Sequence, residues 1–476
     1  MLSYRKLAMR VLGRPLNTGG GIDSPRPASQ RAAAFILTAA MLTTLTAPAF
    51  AGTWYIENGD ITVKAGDTEG TNKVKQGDSD FVKDEGDTII TGTSNQNTVT
   101  IETEKKDDKV EVKLKDVNID GRSQNKAAVS VTGSGNTTIE LDGSNTLKSG
   151  SGHAGLEHNK TDTSGELTIQ DNDKNGSLKA AGGQYGAGIG GAGAANDAQV
   201  KITGGKITAT GGEYGAGIGG GFKGSGDVTI SGGEINANGG NYGAGIGGGD
   251  YSSGKVTISG GEINATGGYL GAGIGGGEKG SGDVTITGGE ITSATGGKYG
   301  AGIGGGKEGR GDVTIEGNTE VNAAGGTGGA GIGGGYGAKN NSNSTGNQIT
   351  IRSNENGSPT VNAVGGGTKK GIADIGGAGI GTGCNSNADT TITLEGKVTI
   401  KATAGKGNVA IGTNGNEQVF TGLAGGTSIT RKDSDKNDIP PLPGDNVPTP
   451  SGGDTAGGGS TGGGSTGGGS AGGGST

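Results

Sequence analysis

The feature that most constrains this chain is a hexapeptide, Gly-Ala-Gly-Ile-Gly-Gly, that keeps returning. It stands at 186–191, 215–220, 243–248, 271–276 and 300–305, with weaker copies around Ile332, Ile380 and Ile411. The isoleucines Ile189, Ile218, Ile246, Ile274, Ile303 and Ile332 follow one another at intervals of 29, 28, 28, 29 and 29 residues. A period held that tightly marks stacked structural repeats, each too small to bury its apolar side chains alone.

One unit, 255–277, reads KVTISGGEINATGGYLGAGIGGG. It divides into three short strands, Val256–Ser259, Glu262–Ala265 and Ala272–Ile274, separated by glycine corners. Alternation along a strand sends neighbouring side chains to opposite faces. The inward set is therefore Val256 and Ile258, Ile263 and Ala265, Ala272 and Ile274, two on each of three sides. The Gly-Gly pairs at 260–261 and 267–268 are expected to supply positive φ at the corners. Glycine, at 114 of 476 residues, recurs too often for a helical repeat. Only 29% of the chain is hydrophobic and 3% aromatic, too little for a thick core but enough for a thin one repeated along an axis. The expected fold is all-β, a parallel β-helix with three short strands per coil of 28–29 residues, right-handed like other parallel crossovers.

The ends differ from the middle. Arg5, Lys6, Arg10, Arg14, Arg26 and Arg31 precede an apolar run from Ala32 to Leu45, and Ala49-Phe50-Ala51 offers a cleavage site. Residues 1–51 read as a secretory signal peptide, too short to span a membrane. Its removal takes away six basic residues and one acidic, leaving 33 positive and 46 negative groups, a net charge of −13. That sign excludes nucleic acid as an expected partner, and the signal peptide leads to the expectation of a protein outside the cell, secreted or at the cell surface. Cys384 is the only cysteine, so no internal disulfide can form. Residues 52–126, holding Trp54, Tyr55 and Phe81, carry alternating strands without the glycine repeat and read as an N-terminal cap. The solenoid is expected over 127–431, regular over 182–335. Residues 432–476 turn Pro-rich and then Gly/Ser/Thr-rich, a flexible tether with no anchor motif.

Stacking turns each outward position into a column. Thr229/Ser231, Thr257/Ser259 and Thr285/Thr287 form hydroxyl columns, either β-propensity at work or a flat array for ice or crystalline polysaccharide. Glu234, Glu262, Glu290 and Glu320 stack on the second side, where like charges repel unless solvent screens them or a cation binds. Ca²⁺, which prefers carboxylate oxygens, is the candidate cofactor. Tyr185, Tyr214, Tyr242 and Tyr299 recur just before the glycine stretch, with Leu270 in one coil; they cap the core or form a row for stacking sugars. The outward residues of the third side are nearly all glycine, a bare ridge that is either tight corner geometry or a platform for another surface. The only histidines, His153 and His158, find no third group for a triad or zinc site. The breaks at 337–347 and 354–370, with Lys339, Lys369, Lys370 and Glu355, hold no acid–base set, so no catalysis is expected.

The run Val110-Glu-Val-Lys-Leu-Lys-Asp-Val-Asn-Ile119, with Ala127–Val129, Thr138–Leu141 and Asn145–Leu147, resembles the carbohydrate-binding β-helix domains of clostridial and related surface proteins. The resemblance covers roughly residues 95–235. It implies a polysaccharide-lyase-like fold that binds polysaccharide without cleaving it, with calcium sites. The expected function is an extracellular, non-catalytic solenoid that binds polysaccharide or a host or cell-surface glycan, or mediates adhesion. A structural surface stalk without a ligand is the alternative, and an ice-binding solenoid a remote third.

Overall fold

The computed structural model describes residues 52–161, 164–194, 197–343, 345–367, 376–413, 415–443 and 445. The expected signal peptide, Lys369, Lys370 and the Gly/Ser-rich tail lie outside them. The described residues form one β-solenoid with no α-helix.

A regular coil runs through Gly226–Ile230, Glu234–Asn238 and Ile246–Gly247, and each strand pairs in parallel with its counterpart one coil on. In the next two coils the first two strands merge into Gly254–Thr266 and Gly282–Thr295. Three apolar columns fill the interior. The first face contributes Val112, Ile139, Ile169, Ile202, Ile230, Ile258, Ile286, Ile315 and Ile351 in register. The second contributes Leu178, Ile207, Ile235, Ile263, Ile291, Val321, Val361 and Ile400. The third carries the isoleucines of the glycine stretch, every one of them fully buried. All six inward residues read from the 255–277 unit are buried. Burying one isoleucine contributes roughly 1.5–3 kcal/mol, so a column repeated coil after coil can hold a thin core together.

Stacking reaches well before the regular repeats. The isoleucine column continues backwards through Leu156, Val129 and Val99 to Ile61. His153-Ala-Gly-Leu-Glu-His158 is thus an eroded copy of the glycine stretch, with Leu156 in place of isoleucine. The first exposed edge, Ile61–Ala65, is covered by antiparallel Asn72–Gln76 and then Val82–Asp84. Asp84 locks this end, accepting from Gly52 N at 3.0 Å and Trp54 Nε1 at 2.9 Å. At the other end Arg431 occupies the register of the small inward column after Ala402. It is 3% exposed and bonds Asp445 at 2.7 Å and the Gln418 carbonyl at 3.0 Å. Two antiparallel pairings, 412–417 and 431–439, cap the last strands of the third and second faces, the kind of cover that blunts a sheet edge.

Two expectations about glycine are corrected. Of the corner pairs, Gly261 has positive φ (+91°), whereas Gly267 and Gly268 do not. Gly268 is needed for close approach instead: a Cβ there would lie 1.5 Å from the Gly240 carbonyl oxygen of the preceding coil. The third face is not a bare ridge either, because residues 243–250 are buried. The chain folds back after the isoleucine, so that Ala244 N donates to Gly248 O at 3.0 Å and the turn covers the strand. Gly247 shows both constraints at once, with φ +129° and a would-be Cβ 2.1 Å from Gly275 O. The third face is an internal layer, not a platform.

Candidate functional site

The tyrosines of the repeating position fall into two aromatic groups, each extended by rings outside that position. Tyr185 and Tyr214 stack at 5.2 Å with planes 8° apart, and Tyr214 and Tyr242 at 4.9 Å and 12°. Phe222 meets the first two edge-on. Leu270 interrupts the stack. Beyond it Tyr299 packs against Tyr269 at 5.7 Å and Tyr336 at 5.1 Å. Lys298 Nζ donates to Tyr269 Oη at 3.0 Å and lies over the rings of Tyr269 and Tyr299. Tyr269, Tyr336 and Phe222 were missed because they sit a residue or a turn away from the repeating position. A sugar stacks on the face of a ring, but in 185–214–242 the faces cover one another, leaving edges to solvent. The geometry fits a ladder that ties coils together, at about 0.5–1.5 kcal/mol per pair.

Glu234, Glu262, Glu290 and Glu320 are also in register, one coil apart. Lys206 stands one coil ahead and bonds Glu234 at 2.6 Å. Glu262, Glu290 and Glu320 are exposed. They form a ladder rather than a cage: among the described residues no three His, Cys, Asp or Glu side chains group to hold a metal. On the first face the hydroxyl column runs on through Thr314 and Thr350. Its partner column turns charged at Glu316 and Arg352, an ion pair of 2.6 Å, so the flat double row of hydroxyls is confined to a few coils.

A second corner carries unusual chemistry. The turn after each glycine stretch places a non-glycine residue at positive φ in successive coils: Lys223, Tyr251, Lys279 and Glu308. Just before it stand Asp250 and Glu278, 2% and 7% exposed. Asp250 Oδ1 has no hydrogen-bond partner. Burial, then the neighbouring Glu278, push the Asp250 carboxyl up to about 7. Glu278 itself is tied to Lys307 at 2.9 Å.

The histidines are structural. His158 is buried between coils, its ring nitrogens facing the carbonyls of Val131 at 3.3 Å and Gly165 at 2.9 Å, and burial lowers its pKa. His153 Nδ1 lies 2.8 Å from Glu157 Oε2, an oxygen that also accepts from Ala154 N. Of the two histidines, Glu157 thus pairs with His153 alone, and it is engaged in holding the backbone.

A cleft lies elsewhere, on the first face of the N-terminal coils, and has a volume of about 570 Å³. Its floor is made of outward side chains of three stacked strands: Glu111 and Lys113, Thr138 and Glu140, Thr168. Glu111, Thr138 and Thr168 stand opposite one another in successive coils. The walls come from the turn at Glu69–Gly70, from Gly86–Asp87 and from Asn172–Asp173. Lys109 reaches across to Glu69 at 2.8 Å. Glu140, 4% exposed, pins the opposite wall by accepting from Asn172 N at 2.7 Å and Asn172 Nδ2 at 2.9 Å. None of the tyrosine or stacked glutamate candidates lines it. One signal in the sequence pointed here: the position that is threonine in most later coils, with Lys201 the exception, is Glu111 in this one.

Five segments, 200–222, 228–250, 256–278, 284–307 and 313–336, match the family model described as Beta helix repeat. Each begins on the first face and runs through the second and third to the corner beyond the glycine stretch, one coil per match. The chain is a β-helix repeat solenoid. No curated protein and no solved structure matches it. The cleft of this β-helix repeat protein lies N-terminal to all five matched segments, in the irregular coils. Among the described residues no helix is long and apolar enough to cross a membrane.

Proposed function

We propose that this β-helix repeat protein is exported and binds a polysaccharide, without cleaving it, in the cleft of its N-terminal coils. The observation that carries the reading is the cleft itself. Its floor repeats a polar side chain every coil, about 4.8 Å apart, a spacing close to the length of one pyranose ring. Spanning the levels of Asp87, Glu111, Thr138 and Thr168, it offers roughly 14 Å of regularly spaced hydroxyls, amides and carboxylates. A polymer of hydroxylated units matches such a row better than a compact ligand does. Cleavage is disfavoured because Glu140 is occupied by Asn172, and Glu166 by Lys201 at 3.2 Å and Thr168 at 3.2 Å. The basic lead and apolar run of residues 1–51 support export. The regular coils then serve as a rigid spacer that carries the cleft.

Titration calorimetry against soluble polysaccharides, with reducing ends assayed in parallel, tests this. Thr138→Arg places a long side chain on the floor at an outward position that the core does not use. The wild type should bind at least one polysaccharide without releasing reducing ends, and Thr138→Arg should not bind it. Equal binding by both proteins refutes the placement. A folded wild type that binds no polysaccharide favours the ligand-free stalk, a reading supported by the unbroken isoleucine column of the regular coils.

A further inference from the structure

We infer that the polymer taken by this cleft carries amines, as a cationic amino-sugar polysaccharide does; this rests on the cleft being a polysaccharide site. The charges around the cleft separate into those already satisfied and those left over. Glu69 is held by Lys109, Glu166 by Lys201, and both oxygens of Glu140 by Asn172. Lys113 stands opposite Glu140 in the ladder and offsets its charge. Three carboxylates remain, Asp87, Glu111 and Asp173, and among the described residues none has a hydrogen-bond or ion-pair partner for its side chain.

Their placement has a pattern. Thr88 and Val112 are register partners, and Asp87 and Glu111 each stand one residue before that pair. They are therefore neighbours one coil apart, Asp87 on the wall and Glu111 at the floor's leading edge. The column then continues as Thr138 and Thr168, two carboxylates followed by two hydroxyls. Asp173 faces this row from the wall that the buried Glu140–Asn172 contact fixes in place. A neutral glycan would leave the adjacent Asp87 and Glu111 repelling each other, and an acidic one would add to the repulsion. A polymer bearing an ammonium on successive rings would neutralise them by charge-assisted hydrogen bonds and place its hydroxyls on Thr138 and Thr168. No aromatic side chain lines the cleft, so recognition rests on these polar contacts.

The test uses three oligosaccharide probes with the full chain: a deacetylated chito-oligosaccharide, its fully N-acetylated counterpart with the same backbone but no charge, and an oligogalacturonate. Calorimetry is run at mildly acidic pH, where amine and carboxylates are both charged, in low and high salt. The expected result is binding of the deacetylated probe, weakened by salt and by roughly tenfold or more in Glu111→Gln/Asp173→Asn, the scale of one charge-assisted contact. Binding of the N-acetylated or acidic probe that Thr138→Arg abolishes and the double variant leaves intact overturns the amine specificity while keeping the cleft as the site. Deacetylated probe bound equally by wild type, double variant and Thr138→Arg overturns both. No binding of any of the three probes overturns the amine specificity, and the cleft reading then stands or falls on the wider polysaccharide panel.

Discussion

Asp250→Asn should make the protein more stable, and by an amount that depends on pH. Asp250 is buried with one oxygen unpartnered, and Glu278 lies one coil on. Burial and then Glu278 push its carboxyl up to about 7, outweighing the Tyr251 backbone hydrogen bond, Lys279 and Lys223, which favour the charged form. A rise from the ordinary carboxylate range to about 7 corresponds to roughly 4 kcal/mol; the corner is one turn from solvent, which makes this a ceiling. The sign follows from the raised folded-state pKa. The contribution is fully present below the unfolded value near 4 and is lost as pH rises through about 7. Asparagine keeps the shape and removes the charge, so the gain belongs above pH 7. Urea midpoints of wild type and variant at pH 5 and pH 8 read it directly. The variant should be clearly more stable at pH 8, and the difference should shrink at pH 5. A gap that is equal at the two pH values, or larger at pH 5, refutes the reasoning.

Gly247→Ala meets both a left-handed φ and a backbone oxygen at 2.1 Å, so thermal melting should fall sharply, by more than the roughly 1 kcal/mol of an ordinary glycine replacement. Tyr214→Ala removes two stacked partners and should lower stability by about 1–3 kcal/mol while leaving glycan affinity unchanged; a loss of binding with the fold intact would show that the ladder is a binding row. The exposed glutamate ladder should respond to ionic strength, so CaCl₂ and NaCl of equal ionic strength should raise the melting temperature alike. A calcium-specific rise removed by EDTA would show a bound ion.

The period of the isoleucines was enough to read the coil, the three-sided cross-section and the inward residues, because one position in contact with itself every coil cannot drift. The same logic misplaced the third face. Its strand is two residues long, Ile246–Gly247, and alternation says nothing about a chain that folds back over it. The tyrosine and glutamate columns were visible as columns, yet their roles depend on ring faces and carboxylate spacing that a pattern does not contain. The cleft was invisible for a different reason. Glu69, Asp87, Glu111 and Asp173 are far apart in sequence, come from coils of unequal length, and meet only once those coils stack. What could be read was the departure at Glu111 from the threonine that most later coils hold there.

The central claim is that ligand sits on the N-terminal coils and not on the regular repeats. Hydrogen exchange followed by mass spectrometry, on the full chain with and without a bound oligosaccharide, tests it most directly. Slowed exchange should appear at 66–72, 86–88, 109–113, 136–140 and 166–173, with 182–335 unchanged. Protection centred on Tyr185 to Tyr299, or on Glu234 to Glu320, would contradict it.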